Sequence, residues 1–391
     1  MQEQDLIKND EGQAALSRIF SPRQQGWLQD RTILLVNHGS VAYGTSTPES
    51  DVDIKGVVVP PVQYFHGFLN KFEQAESKDP DLVIYDIRKF CYLASECNPN
   101  IIEVLWVDPS DYRLITPLGQ KLIDARELFI SKKARHTFSG YAVAQLKRIQ
   151  THYRWLKSPP DHEPTREEFG LIGQKLIPVD QLEAAQSMIN KTLEAWRLDD
   201  LDDLDPSQKI AIQAAMSSRL SEILKWTWDE EKGWSAAARS LGFSDNFIYL
   251  LGQEKKYKTK QIEWSQYQNW LKTRNPKRAA IEAKYGYDCK HAMHLVRLMR
   301  MCREILETGK VIVKRPDREE LLAIRNGLWT YEQLLDWSIG EDVKLDQVYQ
   351  TSTLRHSPDR KALDKLCQSI VEEMLKPVRY DSGVCSPCCG D

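Results

Sequence analysis

The sequence contains no long apolar run. Nothing in it approaches the roughly 18 consecutive apolar residues that a membrane-spanning helix requires. Its opening stretch, MQEQDLIKNDEGQAALSRIF, is charged throughout and lacks the apolar core of a secretory signal. A cytoplasmic protein with no membrane association is therefore expected. Cysteine is sparse, at eight among 391 residues, too few to scaffold a chain of this length with disulfides. Cys91, Cys97, Cys289, Cys302 and Cys367 fall in helix-like segments and are expected to be reduced thiols. Neither charge sign dominates: 53 Lys and Arg against 56 Asp and Glu leave a formal net charge of −3. A global basic field that would recruit nucleic acid is thus excluded, and any such surface must be local. There is no internal repeat, and the length suggests roughly two or three domains.

Local order is clearest in the first third. Residues 11–29 have a helical pattern. TILLV (32–36) and VDIKGVVV (52–59) are β-branched runs bounded by Gly, Ser and Pro and are expected to be strands. LVIYD (82–86) is a third such run, followed by the helix-like IRKFCYLASE and a stop at NPN. From about residue 130 the pattern changes to long amphipathic stretches, broken by the Pro-rich KSPPDHEPTREEFG (157–170) and the acidic RLDDLDDLDPSQK (197–209). The expected fold class is α+β, with a small mixed sheet and flanking helices over 1–130, a mainly α-helical domain over 131–375 and a flexible Cys-rich tail over 376–391.

Between the first two strands lies NHGSVAYGTSTPESDVDIKG. Side chains alternate along a strand, so Asp51 and Asp53 would face the same way. Two carboxylates side by side repel unless a proton or a cation neutralises them, and oxygen ligands of this type suit Mg²⁺ or Mn²⁺. Gly39 and Ser40 stand where the first strand ends and a short helix begins. Exposed N–H groups and a hydroxyl there can hold phosphate oxygens. A third carboxylate would complete such a site, and Asp86, closing the third strand, is the first choice, with Glu103 the second. Taken alone, the aspartates read equally well as solvated surface acids; it is the combination of elements that favours a phosphoryl-transfer site.

HGSVAYGTSTPESDVDIKGV resembles the signature of the DNA polymerase β nucleotidyltransferase superfamily, in particular its RlaP/YcgL-like, RNA-repair-associated branch. Gly-Ser and Asp-x-Asp stand at the family spacing, with the flanking YG, T-x-x-SD and GV also present. YDIRKFCYLASECNPNIIEVLW and YGYDCKHAMHLVRLMRMCREILETGKVIVKRPDREELLAIRNG are similar to later blocks of that family. The resemblance implies a polymerase-β-type catalytic domain that uses Mg²⁺ or Mn²⁺ and a nucleoside triphosphate. Gly39 and Ser40 would bind the triphosphate, and Asp51, Asp53 and Asp86 would hold metal. RNA is the expected acceptor. Transfer to a protein hydroxyl, or a non-catalytic RNA-binding role on the same fold, are the alternatives.

In the helical part, Asp288, Lys290, His291, His294 and Arg297 crowd one segment at helical spacing. Lys290 and Arg297 are candidates to neutralise phosphate, and His291 or His294 to orient the substrate. A helix-boundary role for the histidines is the plainer reading. EKKYKTKQIEWSQYQNWLKTRNPKR (254–278) interleaves basic residues with Tyr257, Trp264, Tyr267 and Trp270, as a single-strand RNA surface would, although an amphipathic helix explains it as well. The tail Cys385, Cys388 and Cys389 form C-x-x-C-C, half of a zinc set at most.

Overall fold

A computed structural model describes residues 26–48, 50–66, 68–174, 177–196, 230–274 and 276–376. Helix α1 (Trp27–Arg31) leads into β1 (Thr32–His38), whose Ile33, Leu34, Leu35 and Val36 are all buried. An unbroken apolar strand of this kind belongs in the middle of a sheet covered on both faces. A short helix α2 (Gly39–Tyr43) follows and is closed by Gly44 in the left-handed region, after which the chain returns as β2 (Asp53–Val58), antiparallel to β1. β3 (Gln74–Lys78), β4 (Asp81–Asp86) and β5 (Tyr112–Ile115) complete a five-stranded sheet in the order β3-β4-β2-β1-β5. β2 and β4 are parallel, and the other pairs are antiparallel. The expected small mixed sheet is therefore present. β3, which is polar, and β5, which has only four residues, lack the apolar runs that identified the other three.

Helix α3 (Ile87–Ser95) starts at the end of β4, and α4 (Pro99–Ile102) is capped by the Asn98 side chain with Pro99 in its first turn, the preferred place for proline in a helix. α5 (Pro117–Asp124) and the long α6 (Ala134–Lys157) follow. One apolar cluster joins Ile33, Val36 and Val57 of the sheet to Phe90, Ile102, Phe138 and Ile149. The opposite face is covered by a smaller cluster of Leu28, Leu35, Ile54, Val58, Leu82 and Ile84.

The chain divides into two compact units, one formed by 1–157 with 276–391 and the other by 158–275. In the second unit, α7 (Val179–Trp196), α8 (Glu230–Ser240) and α9 (Asp245–Thr273) pack around Leu182, Ile189, Trp234, Ala238 and Leu251. Arg166 forms an ion pair with Glu254 there. The rest of the first unit is α10 (Pro276–Tyr285), α11 (Cys289–Thr308), α12 (Arg318–Arg325), α13 (Tyr331–Thr351) and α14 (Arg360–Leu375). These units differ from the expected division at 130 and 375. The cause is packing: α11 buries Leu295, Val296, Leu298, Met299 and Cys302 in the same apolar cluster as the sheet, so the late helices return to the first unit. Asp288 caps α11 and Gly309 ends it in the left-handed region, as start and stop residues should.

Cys91, Cys97, Cys289, Cys302 and Cys367 are free and buried, in keeping with the expected thiols. No helix among the described residues is long and apolar enough to cross a membrane. The expected helix at 11–29 is described only from Trp27 onward. The acidic stretch 197–209 and the Cys385, Cys388 and Cys389 tail lie outside the described residues.

Candidate active site

Asp53 is the first residue of β2 and sits in the sheet between His38 of β1 and Asp81 of β4. Its carboxylate lies directly against the turn into α2. Gly39 has φ +62°, and a Cβ built on it would stand 1.8 Å from Asp53 Oδ2. Both the backbone angle and the space admit only glycine. Asp51 precedes the strand and is exposed, and Ser40, partly buried, lines the same cavity. Burial raises the Asp53 carboxyl above its ordinary value, repulsion from Asp81 and Asp51 adds to the rise, and Lys55 and Lys290 oppose it. Three acids thus share one electrostatic neighbourhood, the situation a divalent cation relieves.

The expected third acid, Asp86, is not among them. Parallel pairing sets Asp81 level with Asp53 and Asp86 level with Val58. At about 3.3 Å per residue, Asp86 stands roughly 16 Å along the strand from that position. It is buried, caps α3 by accepting the Arg88 backbone N–H at 2.6 Å, and forms an ion pair with the Arg88 guanidinium at 2.6 Å. The sequence-based choice favoured the C-terminal end of β4, which would meet Asp53 only if β2 and β4 ran antiparallel. Asp81, the acid at the start of the same strand, was passed over.

Glu103, the second choice, belongs to a buried layer under the carboxylates. It accepts from Tyr43 Oη at 2.5 Å and from Arg297 Nη1 at 2.6 Å, and His38 Nε2 is 3.3 Å away. Burial disfavours its charge, but Arg297, His38 and Tyr43 together outweigh burial and hold the carboxyl far below its usual value. Burial, reinforced by Lys55, pushes His38 down to about 4, leaving it neutral near pH 7. Arg297 also stacks over the Tyr43 ring at 3.8 Å. Arg297, expected to neutralise phosphate, lines the cavity and is paired with the buried Glu103.

The cavity above this layer has a volume of about 950 Å³. Its acidic side is Asp51, Asp53 and Asp81; its lysines and arginines are Lys55 from β2, Arg148 from α6, Lys290 and Arg297 from α11 and Arg325 from α12. Lys55 donates to the Asn100 carbonyl at 2.7 Å, and burial pushes it down to about 8 although Glu103 and Asp53 resist the shift. Lys55 follows Asp53 by two residues and so shares its face of the strand, a signal present in the sequence and missed. Arg148 and Arg325 carried no local signal. The α11 residues expected at the site, Lys290, His291, His294 and Arg297, all line the cavity. His291 also lies 3.5 Å from Asp288 Oδ2.

Residues 254–275 of the basic-aromatic segment belong to the second unit. Trp264, Tyr267 and Trp270 stand three residues apart along α9 with ring centroids 6.1 and 6.0 Å apart, and all three are partly exposed.

Residues 9–158 match the family model of RlaP, the RNA repair pathway DNA polymerase beta family, the same family that the motif resembles. The chain is 24% identical over 341 residues to the "Uncharacterized 38.9 kDa protein in nrdC-mobD intergenic region" of Enterobacteria phage T4, covering 83% of this chain and 90% of the relative. No solved structure matches. The family's description suggests a nucleotidyltransferase.

Proposed function

We propose that the protein is a metal-dependent nucleotidyltransferase that moves a nucleoside monophosphate from a nucleoside triphosphate to an acceptor hydroxyl, with RNA as the acceptor. The observation that carries this reading is Asp53 level with Asp81 on adjacent strands, beside Asp51, in a cavity that also holds Lys55, Arg148, Lys290 and Arg325. Three carboxylates around one cavity, one with a raised pKa, and a glycine that leaves the Asp53 carboxylate its space support a divalent cation there. Asp51, Asp53 and Asp81 would hold Mg²⁺ or Mn²⁺, which when bound supplies charge neutralisation for the triphosphate.

The chain's own residues do the rest. Ser40 and the lysine and arginine side chains bind the β- and γ-phosphates and orient the α-phosphorus. Asp81 takes the proton from the acceptor hydroxyl. A bond forms between the acceptor oxygen and the α-phosphorus, the bond from the α-phosphorus to its bridging oxygen breaks, and pyrophosphate leaves with that oxygen. The buried Glu103, Arg297, Tyr43 and His38 hold the floor rigid, so that positioning is in place before substrate binds. RNA as acceptor rests on the description of the family matched over 9–158.

Incubation of the purified protein with each α-³²P-labelled triphosphate, Mg²⁺ or Mn²⁺, and cellular RNA plus protein tests this reading. Label in RNA, lost in Asp51→Asn/Asp53→Asn and in Asp81→Asn, is expected. Label in protein bands would reassign the acceptor to a protein hydroxyl, and transfer undiminished in those variants would end the proposal.

A further inference from the structure

A second group of ligand-type side chains lies where α6, α10 and the start of α11 meet. A ring nitrogen of His152, a carboxylate oxygen of Glu282 and one of Asp288 all lie within 4.8 Å of one another. Glu282 and Asp288 are only 2% and 1% exposed. Asp288 Oδ1 accepts the backbone N–H groups of Lys290 and His291 at 3.1 and 3.0 Å. Those bonds fix the carboxylate and turn Oδ2 toward His152 Nδ1 at 3.7 Å and His291 Nε2 at 3.5 Å.

We propose that His152, Glu282 and Asp288 form a binding site for a divalent transition-metal ion of the zinc class, with His291 as the fourth ligand. The distances carry the argument. Ligand atoms about 2.1 Å from a tetrahedral ion stand roughly 3.4 Å apart, close to the two measured Asp288 separations. Imidazole nitrogen mixed with carboxylate oxygen selects Zn²⁺-type ions over Mg²⁺ or Ca²⁺, which prefer oxygen alone. Helix capping orients Asp288 from behind, as the outer hydrogen bonds of metal ligands do. Trp155 stacks on the His152 ring with centroids 5.7 Å apart and holds it in place.

The function assigned is structural. The ion ties α6 and α10 to the first turn of α11, the helix whose Lys290 and His294 line the active-site cavity. Metal at this site therefore positions those side chains and takes no part in the chemistry. The proposal does not depend on the transfer reaction.

The test uses the full-length chain carrying Cys385→Ser, Cys388→Ser and Cys389→Ser, so that tail thiolates do not compete for zinc. After treatment with a chelator the protein is titrated with Zn²⁺ under equilibrium dialysis, and with Co²⁺ as an optical reporter of tetrahedral geometry. About one ion per chain is expected, with a tetrahedral Co²⁺ spectrum, unaltered in Asp51→Asn/Asp53→Asn. His152→Ala, and Glu282→Gln, which preserves side-chain shape, should each weaken binding by about tenfold or more. Equal affinity in Glu282→Gln and the parent, loss of the ion only in Asp51→Asn/Asp53→Asn, or no ion bound would each overturn the proposal.

Discussion

Asp53 and Asp81 stand level with each other on parallel strands β2 and β4, although 28 positions separate them in the chain. Neither residue's local sequence specifies the other. The parallel register makes them neighbours, and it removes Asp86 from the site by the length of β4.

The two acids of β4 should therefore behave oppositely when neutralised. Asp81→Asn is expected to lower the transfer rate by about 10²-fold or more while leaving the melting temperature nearly unchanged, since the residue is exposed. Asp86→Asn keeps an oxygen that can cap α3 but breaks the ion pair with the half-exposed Arg88 and should cost about 1–3 kcal/mol of stability, with the rate per folded molecule retained. Steady-state kinetics beside urea unfolding separates the two, and the reverse pattern would return Asp86 to the site.

Gly39→Ala should be damaging out of proportion to one methyl group. The left-handed backbone and the overlap with Asp53 together predict a loss of about 2–4 kcal/mol. Transfer activity should fall further than stability, because the methyl displaces the carboxylate itself. A variant as active as the parent would show that Asp53 does not need this placement.

Under the site, Arg297→Met leaves Glu103 buried and uncompensated and should cost about 3–5 kcal/mol. Adding Glu103→Gln should recover part of that loss, because it removes the stranded charge. Chemical denaturation of the single and double variants gives the coupling, and strict additivity would argue against a buried pair.

Acid sensitivity should trace to His38. Its ordinary value is 6.5, and in the folded chain it is about 4. Below pH 6.5 the unfolded chain binds a proton that the native state refuses. Stability therefore falls as pH drops from about 6.5 to about 4, then levels off for this group once both states are protonated. The full effect is about 3 kcal/mol. Glu103, held low in the fold, adds a further loss below its usual range. Unfolding curves between pH 7 and 4 should show a shallower slope above pH 4 in His38→Gln, and an unchanged slope would exclude His38 as the source.

Because Asp53, Asp81 and Asp51 repel one another, Mg²⁺ should stabilise the protein by mass action, by about 1–3 kcal/mol at concentrations 10 to 100 times its dissociation constant. The rise in melting temperature should disappear with EDTA and be absent in Asp53→Asn. The same rise in that variant would place the ion elsewhere.

Much of the site could be read before folding was considered. β1, β2 and β4 were visible because β-branched runs bounded by turn residues determine local conformation, and Gly39, Ser40, Asp51 and Asp53 were visible because the turn and the strand start fix their separation. Lys290 and His294 were found by composition and helical spacing, and both line the cavity. The pairing of Arg297 with Glu103 was not legible, because the two stand 194 residues apart. Arg148 and Arg325 stand on helices whose local pattern says only that they are amphipathic.

By itself the sequence determined conformations that depend on a few neighbouring residues: the strands, the left-handed glycine and the caps that start and stop α11. Tertiary structure decided which acids meet. Strand direction places Asp81 at the site in place of Asp86, the return of 276–375 to the first unit brings Arg297 onto Glu103, and the packing of α6 brings His152 against Glu282 and Asp288. These contacts join residues far apart in the chain, and only burial of a shared apolar core selects among the pairings that local preference allows.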